Sequence, residues 1–284
     1  MRYARLGPAG EEIPVAYHND GTARDLRSLI NDLEGQYLDP DALSNLTPEQ
    51  LEELPIVDSS LRFGPPVAGI GKFICVGLNY AQHAAESGMP APEQPVLFMK
   101  ATSTIQGPND DVVIPKGSEK TDWEVELGVV IGRTCRHFSE DDALGHVAGY
   151  LVVNDLSERA FQLEHGGQWV KGKSCDTFGP IGPFLVTPDD VPNPQGLDLW
   201  LDVNGKRQQQ SNTRDMIFGV AELITYISKY MTLEPGDIIS TGTPSGVGLG
   251  LKPPVYLKPG DTMELGIEGL GQQRQTTIAY DPVA

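Results

Sequence analysis

The stretch Thr121-Asp-Trp-Glu-Val-Glu-Leu-Gly-Val-Val-Ile-Gly132 contains a strand pattern with acidic residues. Glutamates alternate with apolar residues, so in a strand Glu124 and Glu126 lie on one face and Val125 and Leu127 on the other. Such alternation is also typical of a strand with one solvated face. The sequence therefore predicts a β-strand with two neighbouring carboxylates, which either face water or share a cation.

Short apolar runs that read as strands surround this stretch. They are bounded by turn-forming residues, in keeping with 32 Gly and 23 Pro, and include VLFMK, DVVIP, GYLVVND, PFLVT, LDLWLDVNG, DIISTG and TMELGIEG. One amphipathic helix is predicted over residues 213–230. Because the regular helix–strand alternation of a doubly wound fold is missing, we expect a β-rich α+β fold. Residues 1–70 are predicted to form a small accessory domain, and residues 71–284 the main, catalytic domain.

The charge balance limits the possible partners. A formal net charge of −18 argues against nucleic acid, because a phosphate-binding face needs clustered Lys and Arg. The sequence contains no apolar run of signal-peptide or membrane-span length, so we expect a cytoplasmic protein without a membrane partner. An anionic substrate would need local positive charge, which a bound metal can supply.

A third carboxylate adds to the glutamate pair. Asp155 follows the apolar run GYLVVN and is therefore expected at the end of a strand, where functional side chains are often presented. Three carboxylates without His or Cys suit a hard cation. Glu124, Glu126 and Asp155 are thus candidate ligands for Mg²⁺ or Mn²⁺, with Ca²⁺ as a further option.

A histidine and a glutamate share one side of a short predicted helix. His83 and Glu86 lie three residues apart in NYAQHAAES, where Asn79 is the predicted N-cap. A histidine oriented by a carboxylate is a competent general base for water. The alternative is a solvated pair on a surface helix.

Two further segments provide candidate substrate contacts. Arg159, Gln162 and Lys173 form a local cationic and amide cluster in an otherwise acidic chain, and Lys173 could bind a carboxylate or stabilise an enolate oxygen. A single lysine here could also be an ordinary surface charge. The run STGTPSGVGLG at residues 240–250 places backbone amides and the Thr243 hydroxyl where they could hold a carboxylate.

Five strings, in order along the chain, resemble the fumarylacetoacetate hydrolase family over residues 70–281. They are GLNYAQHAAE, TDWEVELGVVIG, NDLSERAFQ, KGKSCDTFGPIGP and STGTPSGVG. The resemblance implies an enzyme with a mixed-sheet β-roll that forms a homodimer. It also implies that Glu124, Glu126 and Asp155 bind the metal and that His83 and Glu86 form the lid dyad. Arg159, Gln162 and Lys173 match positions that face the substrate, and Thr243 lies in the family's small-residue loop for a carboxylate.

The resemblance further implies hydrolysis of a carbon–carbon bond in a small, anionic 2,4-diketo acid. The stretch SERAFQLEHGGQWVKGKSCDTFGPIGP is most similar to hydrolases of 2,4-diketo-3-deoxy-L-rhamnonate or L-fuconate, which would yield pyruvate and lactate. His83 would activate the attacking water, and Lys173 would stabilise the pyruvate enolate. Acylpyruvate hydrolysis, oxaloacetate decarboxylation and dienoate isomerisation remain open, as does a catalytically silent metal-binding protein.

Overall fold

The computed structural model describes residues 1–281, and its architecture is dominated by strands. The strands are β1 (Arg2–Leu6), β2 (Ile13–Tyr17), β3 (Ala23–Asp25), β4 (Ile56–Val57), β5 (Phe73–Gly77), β6 (Val96–Lys100), β7 (Ile105–Gln106), β8 (Val112–Ile114), β9 (Thr121–Asp122), β10 (Val125–Ile131), β11 (Val147–Asn154), β12 (Ser157–Glu158), β13 (Gly179–Pro180), β14 (Leu185–Val186), β15 (Asp198–Val203), β16 (Lys206–Asn212), β17 (Ile238–Ser240), β18 (Thr262–Ile267) and β19 (Gly271–Ala279). The α-helices are α1 (Pro40–Ser44), α2 (Pro48–Glu52), α3 (Ala81–Glu86), α4 (Glu140–Ala143), α5 (Arg159–Leu163), α6 (Val170–Lys173) and α7 (Val220–Ser228).

Two mixed sheets form the framework. The larger has ten strands in the order β4-β3-β2-β1-β14-β11-β10-β17-β5-β6, and the smaller has five in the order β16-β15-β18-β19-β8. Most neighbouring strands are antiparallel, whereas β17 pairs with β5, and β19 with β8, in parallel. The prediction of a β-rich α+β fold with mixed sheets is confirmed.

Strand β10 lies at the centre of the larger sheet, and its two faces serve different purposes. Val125, Leu127 and Val129 are fully buried in the same core cluster as Leu199 and Leu265 of the smaller sheet. Burial of each such side chain contributes roughly 1.5–3 kcal/mol. This packing fixes β10 rigidly, so the carboxylates on its opposite face have a firm support.

The N-terminal residues extend the larger sheet. Strand β1 pairs with β14 through Arg2 and Val186, and β2 to β4 continue outward from it. Tyr3 and Leu26 share a core cluster with Phe73 and Leu151. The division into domains at residue 70 stays a prediction. The larger sheet contains strands from both sides of that position.

The predicted helix over residues 213–230 is only partly correct. Residues 213–215 form a single 3₁₀ turn, and α7 begins after Gly219. The physical reason is the buried side chain of Asn79, whose Oδ1 accepts the Phe218 N–H at 2.8 Å, while the Asn79 carbonyl accepts the Ile217 N–H at 2.8 Å. These donors are therefore not available to a continuous helix.

The prediction of Asn79 as the N-cap of α3 is also wrong, because its side chain binds elsewhere. Tyr80 occupies the cap position without a side-chain cap bond, and the Asn79 amide donates to the carbonyls of Phe218 and Thr241.

Among residues 1–281, no helix combines the length and the apolar character that crossing a bilayer requires.

Candidate metal centre and adjoining cavity

Three buried carboxylates meet at one end of the β10–β11 pair. The two strands are antiparallel with Val125 opposite Asn154, so Glu124, just before β10, lies across from Asp155, just after β11. Glu126 is on the same face two residues further along. One oxygen from each of Glu124, Glu126 and Asp155 lies within 4.8 Å of the others. The structure thus brings together the three predicted ligands.

Three cations surround this cluster. Lys173 Nζ donates to Glu124 Oε2 at 2.6 Å and to Asp155 Oδ2 at 2.7 Å. Lys100 Nζ donates to the other oxygen of Asp155 at 2.6 Å, and Arg159 Nη2 donates to Glu124 Oε1 at 2.6 Å. All of these side chains are buried. Charge-assisted hydrogen bonds therefore hold the carboxylates in fixed orientations.

The electrostatics of the two glutamates differ. Burial acts to raise the pKa of Glu124, yet the adjacent charges of Lys173 and Arg159 lower it below its ordinary value. Within residues 1–281 no cation forms an ion pair with Glu126, and burial and the charges of Asp155 and Glu124 raise its pKa well above the ordinary value. A divalent cation among the three carboxylates would offset this repulsion.

The donor set fits such a cation. Three carboxylates, with no histidine or cysteine among them, match the preference of Mg²⁺ and Mn²⁺ for oxygen ligands. The Lys173 ammonium bridges Glu124 and Asp155, so a positive charge lies between these two carboxylates.

The end of β17 and the glycine-rich loop after it orient acidic side chains. Ser240 Oγ and the Gly242 N–H both donate to Glu126 Oε2, at 2.5 and 2.8 Å. The Gly246 N–H donates to Glu86, and the Gly248 N–H donates to Asp122. The amides of this loop thus donate to protein carboxylates, whereas from the sequence we expected them to hold a substrate carboxylate.

The predicted histidine–glutamate pair is formed on α3. His83 Nδ1 lies 2.8 Å from Glu86 Oε1, and His83 is buried at the wall of a cavity that also reaches Glu124 and Glu126. The second Glu86 oxygen accepts the Gly246 N–H at 2.9 Å. Because Nδ1 is bound to the glutamate, Nε2 is the ring nitrogen left for a reacting molecule.

The four predicted substrate contacts also line the cavity, whose volume is about 230 Å³. Arg159 directs three nitrogens to Asp122, Glu124 and Gln162, so it orients neighbours as well as facing the cavity. Lys173 directs its donors to Glu124 and Asp155. The Thr243 hydroxyl donates to the Val125 carbonyl at 3.0 Å and accepts from Gln209.

Sequence reasoning missed three supporting residues. Asp122 binds Arg159 and two loop amides, Lys100 binds Asp155, and Ser240 binds Glu126. The alternation that placed Glu124 and Glu126 on one face extends to Asp122 and could have identified it. Lys100 and Ser240 come from strands that are distant in sequence, and no local pattern marks them.

Comparison with known proteins agrees with this geometry. The family model described as fumarylacetoacetate (FAA) hydrolase C-terminal matches residues 72–278. A Burkholderia ambifaria protein, named only as a presumed hydrolase, is 58% identical over 278 residues, which cover 98% of this chain and 99% of the relative. The chain belongs to the fumarylacetoacetate hydrolase family.

Two solved structures extend the comparison. Fumarylacetoacetate hydrolase from Exiguobacterium antarcticum is 35% identical with a TM-score of 0.86, covering 99% of this chain and 100% of that one. Maleylpyruvate hydrolase from Sphingobium sp. SYK-6, in complex with manganese(II) and pyruvate, is 28% identical with a TM-score of 0.81 and the same coverage. This chain is therefore similar to enzymes over its whole length.

Proposed function

We propose that this protein is a divalent-metal-dependent hydrolase that cleaves a carbon–carbon bond of a 2,4-diketo acid. The observation that carries the proposal is one cavity bordered both by the acidic cluster and by the His83–Glu86 pair. The cluster supplies a site for a hard cation, and the pair supplies a base for water. Hydrolysis of a diketo acid can use both.

In this proposal Glu124, Glu126 and Asp155 hold Mg²⁺ or Mn²⁺. When bound, the metal supplies Lewis-acid polarisation of substrate oxygens and offsets the negative charge of the acidic cluster. The bound manganese named for the Sphingobium maleylpyruvate hydrolase supports a metal of this type in a related enzyme.

The protein residues carry the remaining steps. His83 takes a proton from water through Nε2, while Glu86 holds Nδ1 and stabilises the protonated ring. The resulting hydroxide adds to the C4 carbonyl, and cleavage of the C3–C4 bond leaves a pyruvate enolate. Lys173, which donates to Glu124 and Asp155, would stabilise the enolate oxygen.

Arg159, Gln162 and Thr243 have positioning roles in the proposal. Arg159 holds Gln162 Oε1 at 3.0 Å, and the Gln162 amide nitrogen remains as a donor at the cavity wall. Thr243 anchors the loop to β10 through Val125. The homodimer implied by the family resemblance is also part of the proposal and can be measured by light scattering.

The test is a product analysis on a panel of substrates, each with Mg²⁺ and with chelator. The panel holds acetylpyruvate, 2,4-diketo-3-deoxy-L-rhamnonate, its L-fuconate counterpart and oxaloacetate. Pyruvate with an equimolar carboxylic acid, abolished by chelator, supports the hydrolase. Turnover of oxaloacetate alone would assign a decarboxylase instead, and rearrangement without pyruvate release would assign an isomerase.

A further inference from the structure

Asp122 is a fully buried aspartate that neither belongs to the acidic cluster nor lines the cavity beside it. It ends β9, and each of its carboxylate oxygens accepts two hydrogen bonds. Oδ1 accepts the N–H groups of Trp123 at 2.8 Å and Gly248 at 2.6 Å, and Oδ2 accepts Arg159 Nε at 2.8 Å and the Leu249 N–H at 3.0 Å. A carboxylate in this position can influence the site only through the groups that it holds.

One oxygen of Asp122 orients Arg159. The guanidinium uses a different nitrogen for each of three partners, with Nε on Asp122, Nη2 on Glu124 at 2.6 Å and Nη1 on Gln162 at 3.0 Å. The backbone N–H of Arg159 also donates to the Lys120 carbonyl at 3.0 Å, so the segment that ends in Asp122 holds both its backbone and its side chain. Because the guanidinium is planar, fixing Nε sets the direction of the nitrogens that reach Glu124 and Gln162.

The loop that follows β17 is held on the other side of Asp122. Besides the two amides that bind Asp122, the Gly246 carbonyl accepts from Trp123 Nε1 at 3.1 Å. The same loop reaches α3, because the Gly246 N–H donates to Glu86 Oε2 at 2.9 Å. Val247, which follows Gly246, is fully buried. The loop is therefore bound to the carboxylates of both Asp122 and Glu86.

Two glycines let the loop approach these carboxylates closely. At Gly248 a Cβ would lie 2.8 Å from Asp122 Oδ1 and 2.0 Å from the Val255 carbonyl oxygen. At Gly250 a Cβ would lie 2.6 Å from Glu86 Oε2. Neither position can take a side chain unless a neighbour moves, so the loop fits tightly against both carboxylates.

A continuous set of contacts therefore joins the histidine to the acidic cluster. It runs from His83 through Glu86 to the loop at residues 246–248, and from there through Asp122 and Arg159 to Glu124. Its hydrogen bonds are all between 2.6 and 2.9 Å long.

We infer that Asp122 is a positioning residue that couples the His83–Glu86 pair to the acidic cluster. Asp122 sets the direction of Arg159 on one side and the position of the glycine-rich loop on the other, and the loop in turn orients Glu86. The coupling itself can be measured without a substrate, whereas the catalytic tasks of His83 and Glu124 rest on the proposed function.

Hydrogen–deuterium exchange of Asp122→Asn tests the coupling without turnover. The asparagine has the same shape, but its NH₂ group faces donors and cannot accept from them. Exchange in α3 is expected to become about tenfold faster or more than in the parent chain, together with exchange in the loop.

Asp237→Asn is the matched control for this experiment. Asp237 is also buried and accepts from one backbone N–H, that of Glu234 at 2.7 Å, and from one cation, Lys72 Nζ at 2.6 Å. It lies at the other end of β10, where its carbonyl accepts the Ile131 N–H. This variant should leave exchange in α3 unchanged. Unchanged α3 in a folded Asp122→Asn chain, or an equal increase in Asp237→Asn, would overturn the inference.

Gly250→Ala tests the coupling from the opposite end and decides the question if Asp122→Asn does not fold. The added methyl group displaces the Glu86 carboxylate and leaves Asp122 unchanged. Because coupling between two sites is reciprocal, exchange should also rise in α5, which begins at Arg159. Exchange in α5 that matches the parent chain would contradict the inference.

A double-mutant cycle on kcat links the coupling to turnover of acetylpyruvate at saturating Mg²⁺. Asp122→Asn alone is expected to lower kcat by about 10- to 100-fold. Combined with Glu86→Gln, the total loss should be at least about threefold smaller than the product of the two single losses, because both changes act on one loop. The cycle that pairs Glu86→Gln with Asp237→Asn should give the full product.

The outcomes of the cycle separate the two proposals. A full product in the cycle of Asp122→Asn with Glu86→Gln would overturn the inference and leave the proposed function standing. If the parent chain cleaves no diketo acid, the proposed function fails, and the exchange experiments alone decide whether Asp122 couples α3 to Arg159.

Discussion

Lys100 and Asp155 form a fully buried ion pair, with Lys100 Nζ 2.6 Å from Asp155 Oδ1. Lys173 binds the other carboxylate oxygen at 2.7 Å. The Asp155 carboxylate is therefore held from both sides, and its plane is fixed before any metal arrives. This orientation is what a preformed metal site requires.

Replacing Lys100 should destabilise the fold. In Lys100→Met the ammonium is lost and a buried carboxylate oxygen loses its partner, so the free energy of unfolding should fall by about 3–5 kcal/mol. Urea denaturation measures the change. Lys116→Met, at an exposed lysine, is the control and should be nearly neutral. A loss below about 1 kcal/mol in Lys100→Met would contradict the importance of the pair.

Glu126→Gln should separate metal binding from stability. The glutamine keeps an oxygen that can accept from Ser240 and Gly242, and it removes an ionisable group whose charged form is disfavoured by burial. Mg²⁺ affinity should fall by roughly 100-fold or more, because hard cations need anionic oxygens. The metal-free variant should be at least as stable as the parent chain. Calorimetric titration and thermal melts test both, with the exposed Glu119→Gln as the control.

The raised pKa of Glu126 also sets a direction for pH dependence. The folded metal-free chain keeps a proton on Glu126 that the unfolded chain releases. This group therefore makes the free energy of unfolding fall as pH rises above about 4.3, the ordinary glutamate value. The fall should be smaller in Glu126→Gln. Denaturation curves at several pH values, without metal, measure it, and identical slopes in both chains would contradict the assignment.

Arginine at position 159 should not be replaceable by lysine. Its guanidinium contacts Asp122, Glu124 and Gln162 through three separate nitrogens, a geometry that one ammonium cannot reproduce. Arg159→Lys should lower metal affinity or kcat/KM by about 10- to 100-fold. Arg136→Lys, at an exposed arginine, serves as the control. Full activity in Arg159→Lys would show that its charge alone suffices.

His83 should affect turnover and leave the metal in place. His83→Ala is expected to lower kcat by about 10²- to 10⁴-fold, the usual contribution of a general base. Glu86→Gln should lower kcat less, since it keeps a side chain that can orient the ring. Metal content by elemental analysis should match the parent chain in both. Near-normal turnover in His83→Ala, with unchanged metal, would remove the base from the mechanism.

The sequence predicted the acidic cluster because strand geometry is local. Alternation places Glu124 and Glu126 on one face, and the end of an apolar run places Asp155 at a strand end. The antiparallel pairing of β10 and β11, with Val125 opposite Asn154, is a long-range contact. The structure shows this pairing, which local patterns do not predict.

Long-range hydrogen bonds explain what the sequence predicted incorrectly. Asn79 has the chemistry of an N-cap, yet its side-chain amide donates to the carbonyls of Phe218 and Thr241, 139 and 162 positions away. Because its Oδ1 also accepts the Phe218 N–H, the predicted helix is shortened to α7. Lys100 gave no local signal, because its partner Asp155 comes from a distant strand. Local patterns cannot report contacts of this kind.

The decisive experiment is metal-dependent release of pyruvate from acetylpyruvate. The chain is stripped of metal with chelator, and pyruvate is followed before and after Mg²⁺ is restored. We expect no release from the stripped chain, and recovery with Mg²⁺ that yields acetate and pyruvate in equal amounts. Equal rates with and without metal would contradict the role assigned to Glu124, Glu126 and Asp155.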